Sequence, residues 1–148
     1  RVVHLGGALE ERMRERAEAQ MQRQPRRYRW MGNRPHGQVM RQLARSQVLV
    51  LSSRMEGGAK VVGEAISFGT PVLSTRISGS IGLLGEDYPG FFEPGDVDGL
   101  RRLLLDAESE GVFYKSILKR CAALKSLFHP SQERRAWGQL LEELSLDG

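Results

Sequence analysis

Two glutamates, Glu56 and Glu64, flank seven residues in the stretch Ser52-Ser53-Arg54-Met55-Glu56-Gly57-Gly58-Ala59-Lys60-Val61-Val62-Gly63-Glu64. Gly57 and Gly58 remove side chains just where the backbone N–H groups of a following helix would point outward. A phosphate arriving there could approach the amides and the positive end of the helix dipole. Glu64 would then lie about one turn inside the helix. From there it could offer both carboxylate oxygens to vicinal hydroxyls, as the acidic residue of a dinucleotide fold does for ribose. Glu56, ahead of the helix, would stay nearer a reacting sugar.

A plainer alternative stands beside this one. In it Glu56 favours a helix N-terminus, Glu64 is a solvated carboxylate near Lys60, and the glycine pair is an ordinary turn. Two features favour the ligand. Lys60 followed by Glu64 is the less favourable order for an i,i+4 helix pair. The loop also follows the most apolar candidate strand, where an α/β fold receives its ligands.

The elements that must hold this loop follow from patterning, since short apolar runs alternate with amphipathic segments along most of the chain. Val2-Val3-His4-Leu5 reads as a strand ending at Gly6-Gly7, and Leu9, Met13, Ala17 and Met21 mark a charged helix whose two methionines read as core filler. Tyr28-Arg29-Trp30-Met31 is a second strand closed by Gly32-Asn33, and Pro35 can open a helix with Val39, Met40, Leu43 and Ala44 on its apolar face. Val48 to Leu51, apolar on both faces, fits a central parallel strand covered by helices. A helix from Lys60 to Phe68 follows, with Gly69 at a left-handed C-cap. Pro71 to Leu73 begins a fourth strand and Phe91-Phe92 is a short fifth. Pro94-Gly95-Asp96 turns into a helix carrying Leu100, Leu103, Leu104 and Ala107. Two more helices carry Phe113, Ile117, Cys121, Leu124 and Phe128, then Trp137, Leu140, Leu141 and Leu144 beyond Pro130. This order predicts an α/β fold with a doubly wound parallel sheet and ligand loops after Leu5, Met31, Leu51 and Leu73.

Composition narrows the function class. The chain has 148 residues, 40% apolar and 27% charged, as expected of one globular domain. Its net charge of +4 comes from scattered basic residues without interleaved aromatics, which argues against a nucleic-acid partner. Val48 to Leu51 is far shorter than the roughly 20 apolar residues a membrane span needs. With the single cysteine Cys121 and no secretory leader pattern, the expected compartment is the cytoplasm. An opening on Arg1 and an immediate β-branched run suggest a fragment of a longer protein.

The run Val48 to Leu73, with Glu56 and Glu64, Gly69-Thr70-Pro71-Val72 and the later Pro94-Gly95-Asp96, resembles the C-terminal half of a retaining GT-B glycosyltransferase of family 4. That resemblance covers nearly the whole chain. It implies a Rossmann-like nucleotide-sugar-binding domain without its first strand-helix unit and without the N-terminal acceptor domain. By the same resemblance Glu64 holds the nucleotide ribose and Glu56 is the catalytic glutamate at the donor sugar. Gly57, Gly58, Ala59, Lys60 and Val61 would serve sugar and diphosphate, Arg54 and Lys60 would supply cations, and Gly32 and Asn33 would lie near the base. The implied reaction is hexosyl transfer from a nucleotide-sugar donor to a small-molecule acceptor, with no cofactor and no metal; a fragment alone would be inactive. Preorganised amides suit a departing diphosphate.

Ser53 to Ala59 together with Ile77 to Gly90 are similar to the selenosugar synthase branch of selenoneine biosynthesis, which implies UDP-N-acetylglucosamine as donor and selenophosphate as acceptor. Lys60 and Ser80 depart from that branch, where Asn is expected. Two other readings remain open: a GT-B sugar-nucleotide epimerase acting on the donor alone, and a non-catalytic nucleotide-binding or interaction module. His4, His36 and His129 lack metal-ligand spacing, and Cys121 falls on a helix stripe as a packing residue. Ser52 and Ser53 lack a nucleophile elbow and are explained by strand-end hydrogen bonding.

Overall fold

The computed structural model describes residues 1–57, 59–109 and 111–146, and the side chains of these apart from residues 130, 133 and 143–146. The expected apolar position at Leu144 thus lies outside the described side chains. The fold is α/β with parallel strands, as patterning predicts, and the chain divides into two compact units, Arg1–Gln42 and Leu43–Gly148.

In the first unit, β1 (Val2–His4) pairs in parallel with β2 (Tyr28–Trp30), Val2 facing Tyr28 and His4 facing Trp30. Helix α1 (Glu11–Arg23) connects them. Its apolar residues recur only once per turn, a narrower stripe than a packed helix presents. Ala17 and Met21 are accordingly half-buried, while Leu9 and Met13 are exposed, so Met13 is not the core filler that its spacing suggests. Arg14 sits between Glu11 at 3.2 Å and Glu18 at 3.5 Å on the charged face. Helix α2 (His36–Leu43) runs to the unit boundary.

In the second unit, β3 (Leu49–Leu51), β4 (Val72–Thr75) and β5 (Phe91–Phe92) form a parallel sheet in the order β3-β4-β5. The middle strand is therefore β4, all of whose residues are buried, whereas β3 stands at one end with Val50 38% exposed. The strand expected at Val48 to Leu51 is β3, paired in parallel with β4. Counting apolar residues undervalued β4, because two of its four residues are Ser74 and Thr75, which can be buried only when hydrogen-bonded.

Both hydroxyls are satisfied. Ser74 Oγ lies 2.8 Å from Ser80 Oγ, and Thr75 Oγ1 donates to the Ser53 carbonyl at 2.6 Å. At the other end of the connection into β4, Thr70 Oγ1 donates to the Leu43 carbonyl at 2.9 Å. Helix α3 (Lys60–Ser67) precedes β4 and ends at Gly69, whose φ of +76° gives the expected left-handed cap.

Helix α4 (Ser78–Leu84) escapes the patterning because Gly79 and Gly82 depress helix propensity. Burial of Ser80 and Leu84 holds it instead. The chain then turns at Gly85, and the buried Tyr88 donates its hydroxyl to the Val72 carbonyl at 2.6 Å, with Cys121 Sγ at 3.2 Å. Gly90 passes so near β4 that a Cβ there would stand 2.6 Å from the Val72 carbonyl oxygen. Beyond β5, Asp96 caps α5 (Val97–Glu108) by accepting the Gly99 N–H at 2.8 Å. Helix α6 (Val112–Leu124) buries Ile117 and Cys121, a 3-10 turn covers Lys125–Phe128, and α7 (Pro130–Leu146) follows with Trp137, Leu140 and Leu141 exposed. Among the described residues, no helix is long and apolar enough to cross a membrane.

Gly90→Ala should lower stability by about 1–3 kcal/mol, since the added methyl meets fixed backbone; the urea midpoint measures it. Burial raises both the Tyr88 phenol and the Cys121 thiol, the latter above its ordinary 9.0. The native state therefore keeps protons that the unfolded chain releases, and stability present at neutral pH should fall as pH rises above about 9. Urea midpoints compared at pH 7.5 and on buffers of about pH 10 test this, and replacing Cys121 with Val should flatten part of the decline.

Candidate functional site

The loop that leaves β3 and the first turns of α3 carry most of the residues singled out by the sequence. Just beyond β3, Ser53 Oγ donates to Glu56 Oε1 at 2.8 Å, and the backbone carbonyl of the same serine accepts Thr75 Oγ1. Glu56 is thereby held half-buried. Arg54, Met55 and Gly57 are exposed around it. Gly58 lies outside the described residues.

Ala59, only 5% exposed, is the N-cap of α3 in an extended conformation, and no side chain caps the helix through it. The Ala59 carbonyl accepts the Val62 N–H at 2.8 Å, closing the first turn. With no carboxylate or hydroxyl in the capping position, the positive end of the helix dipole faces the loop without that partial neutralisation. Val61 is half-buried and Val62 fully buried, so the apolar side of α3 is fixed against the unit while Lys60 extends outward.

Glu64 lies on the second turn with a side chain 17% exposed, and its Oε1 is 3.7 Å from Lys60 Nζ. The unfavourable residue order therefore does not prevent the ion pair, which corrects one of the two grounds for setting the plainer alternative aside. At that separation the contact is Coulombic and longer than a hydrogen bond. Lys60 is 83% exposed, so solvent screens the attraction.

Gly63 places α3 against the rest of the second unit. A Cβ at Gly63 would lie 2.6 Å from the Phe128 ring, so glycine is what lets the 3-10 turn press on this helix. The helix bearing Lys60 and Glu64 is thus located by β4 and by that turn together.

Gly32 and Asn33 belong to the first unit. There the carbonyl of Gly32, at φ +61°, accepts the Gly6 N–H at 3.0 Å, and Trp30 Nε1 donates to the Gly6 carbonyl at 2.9 Å. The Asn33 side chain reaches the backbone at Gly7, where a Cβ would stand 2.8 Å from Nδ2. The loops after β1 and β2 are therefore tied together. The structure gathers Arg54, Glu56, Gly57, Ala59, Lys60, Val61 and Glu64 on one loop-helix segment, while Gly32 and Asn33 form a separate loop cluster in their own unit.

The sequence reading overlooked the part of Ser53 and Thr75. The Ser53 carbonyl makes the strand-end hydrogen bond that its position suggests, but its hydroxyl goes to Glu56. A serine three residues before a loop carboxylate was the available signal; Thr75, far along the chain, offered none. Among the described residues no group of three or more His, Cys, Asp or Glu could hold a metal ion. His4 Nδ1 lies 2.7 Å from the Tyr28 hydroxyl and His129 Nδ1 lies 2.8 Å from Ser131 Oγ.

Residues 1–122 match the family model described as glycosyl transferases group 1. The structure is similar to HepE of Anabaena in complex with UDP-glucose, at a TM-score of 0.76 and 20% identity, over 97% of this chain and 40% of that one. The UDP complex of HepE gives a TM-score of 0.77 over 95% of this chain and 40% of that one. Sucrose-phosphate synthase from Thermosynechococcus elongatus is similar at a TM-score of 0.71 and 24% identity, over 99% of this chain and 39% of that one. The chain therefore spans about 40% of the length of these solved structures. No curated protein matches its sequence significantly.

Replacing Lys60 with Ala should change folding stability by less than about 0.5 kcal/mol, because its pair with Glu64 is exposed on the lysine side and unfavourably ordered. A thermal unfolding comparison measures this, and a much larger loss would show that the pair holds α3 in place.

Proposed function

The chain belongs to the glycosyl transferases group 1 family, and from that membership we propose that it is the donor-binding portion of a retaining GT-B enzyme that uses a UDP-sugar. One observation carries the reading: α3 begins behind the Gly57 loop without a side-chain cap, with Glu56 held ahead of its first turn and Glu64 on its second. An anionic diphosphate is the chemistry suited to such a helix start, where amides and dipole act together. Glu64 then takes the ribose hydroxyls, Glu56 takes the donor sugar, and the backbone from Gly57 to Val61 takes sugar and diphosphate. Support from other proteins comes from HepE, which has been crystallised with UDP and with UDP-glucose.

In this mechanism the chemical problem is departure of the nucleoside diphosphate. Negative charge grows on the bridging oxygen as the glycosidic bond breaks, and amides at the start of α3 stabilise it to the extent that they are preorganised. Lys60 and Arg54, both exposed beside the loop, add positive charge there. Glu56 supplies a fixed carboxylate on the sugar side, suited to hold sugar hydroxyls while the acceptor approaches. Such a site stabilises the leaving group through the protein's own donors and needs no metal ion.

The donor sugar we propose is N-acetylglucosamine and the acceptor is selenophosphate, on the resemblance carried by residues 53–59 and 77–90. Within the second of these stretches, Leu84, Gly85, Tyr88 and Gly90 already have packing roles. The acceptor therefore requires its own assay, with phosphate and selenophosphate compared on the enzyme that contains this chain.

Titration of UDP into the protein, followed by backbone amide NMR, tests the donor site. UDP should shift the amides between Gly57 and Glu64, and Glu64→Ala should weaken binding by roughly tenfold, the equivalent of about 1.4 kcal/mol, within the range for hydrogen bonds to a charged group. An unperturbed loop, or a Glu64→Ala variant with unchanged affinity, would overturn the assignment. Incubation with the UDP-sugar alone separates transfer from epimerisation, because only an epimerase returns a sugar with an inverted ring centre when no acceptor is added.

A further inference from the structure

We propose that Ser53 is a positioning residue for Glu56, and that Thr75 in turn fixes Ser53, so that the carboxylate at the donor sugar is preset by the buried strand β4. This rests on the donor-site reading above and adds to it the residue that orients the sugar-contacting group. The chain of contacts is short and directional. Thr75, with no exposed surface, donates from Oγ1 to the Ser53 carbonyl at 2.6 Å, and Ser53 Oγ donates to Glu56 Oε1 at 2.8 Å.

Burial decreases along it in steps, from the fully buried Thr75 to the half-buried Ser53 and Glu56. A half-buried glutamate on a loop is thereby coupled to the fully buried strand of its unit. The bond engages Oε1, and Oε2 meets a sugar hydroxyl. A side chain whose rotamer is set before the ligand arrives does not have to be ordered on binding, which is how preorganisation raises affinity. The coupling acts only on the group that meets the sugar. It should therefore discriminate a UDP-sugar from UDP, which lacks the sugar.

Two measurements on the same protein test this. Three-bond couplings from the Glu56 Cγ to its backbone nitrogen and carbonyl report the χ1 rotamer without any ligand. Wild type should show a single rotamer, Ser53→Ala an average of several, and Ser53→Thr, which keeps the hydroxyl, a single rotamer again. UDP and UDP-N-acetylglucosamine are then titrated into each variant. Ser53→Ala should weaken the UDP-sugar by roughly threefold to tenfold with UDP unchanged, the consequence of losing one charge-assisted hydrogen bond in a partly exposed site. Ser53→Thr should restore the difference.

A Glu56 rotamer that stays single in Ser53→Ala would overturn the proposal, as would equal weakening of UDP and UDP-sugar. If Glu64→Ala weakens both ligands as expected while Ser53→Ala affects neither, the donor site stands and the positioning role falls. If no nucleotide perturbs the loop, the donor-site reading falls, and the role assigned to Ser53 at the sugar falls with it whatever the rotamer shows. Amide spectra of the variants confirm that each is folded.

Discussion

The second unit is organised by the need to satisfy polar groups on a strand that has no access to water. Strand β4 carries Ser74 and Thr75 into full burial, and a buried hydroxyl without a partner costs as much as several good contacts return. Each hydroxyl finds its partner on a different neighbour. Ser74 reaches Ser80 on α4, and Thr75 reaches the loop beyond β3. The Val72 carbonyl, nearer the start of the same strand, accepts Tyr88. One strand therefore fixes three connections that are distant in sequence, and the loop bearing Glu56 is among them.

That arrangement explains how a loop containing glycine can keep its carboxylate in place. Glycine lets backbone approach a ligand but raises the entropy lost on ordering. Here the ordering is supplied from both sides: Thr75 and Ser53 before Glu56, and the buried Ala59, Val62 and Gly63 after it. Around Glu56, the side chains of Arg54, Met55 and Lys60 are exposed. The charged groups thus remain hydrated while the framework that aims them is dry, which keeps Lys60 and Arg54 from incurring the desolvation cost of buried ions.

Most element types were legible because their signals are local. The alternation of apolar runs with amphipathic stretches gave the α/β class, Gly69 marked the end of α3, and Asp96 marked the start of α5. What was not legible depends on partners elsewhere in the chain. Apolar composition marked β3 but not the full burial of β4, which depends on the hydroxyl partners of Ser74 and Thr75. Helix α4, with two glycines, is held by tertiary burial that overrides propensity. In the candidate site, the residue types at Glu56, Gly57 and Glu64 announced themselves, whereas the tether from Thr75 joins residues that sequence spacing does not relate.

Gly63 and Phe128 together fill a single volume, shared between a helix near the middle of the chain and a turn near its end. What one position lacks in size the other uses. Neither residue can then drift in size independently over generations: a methyl gained at 63 favours a smaller residue at 128, and loss of the ring at 128 makes room at 63. The two positions should change together among descendants of this chain, as a pair that trades bulk across the face of α3.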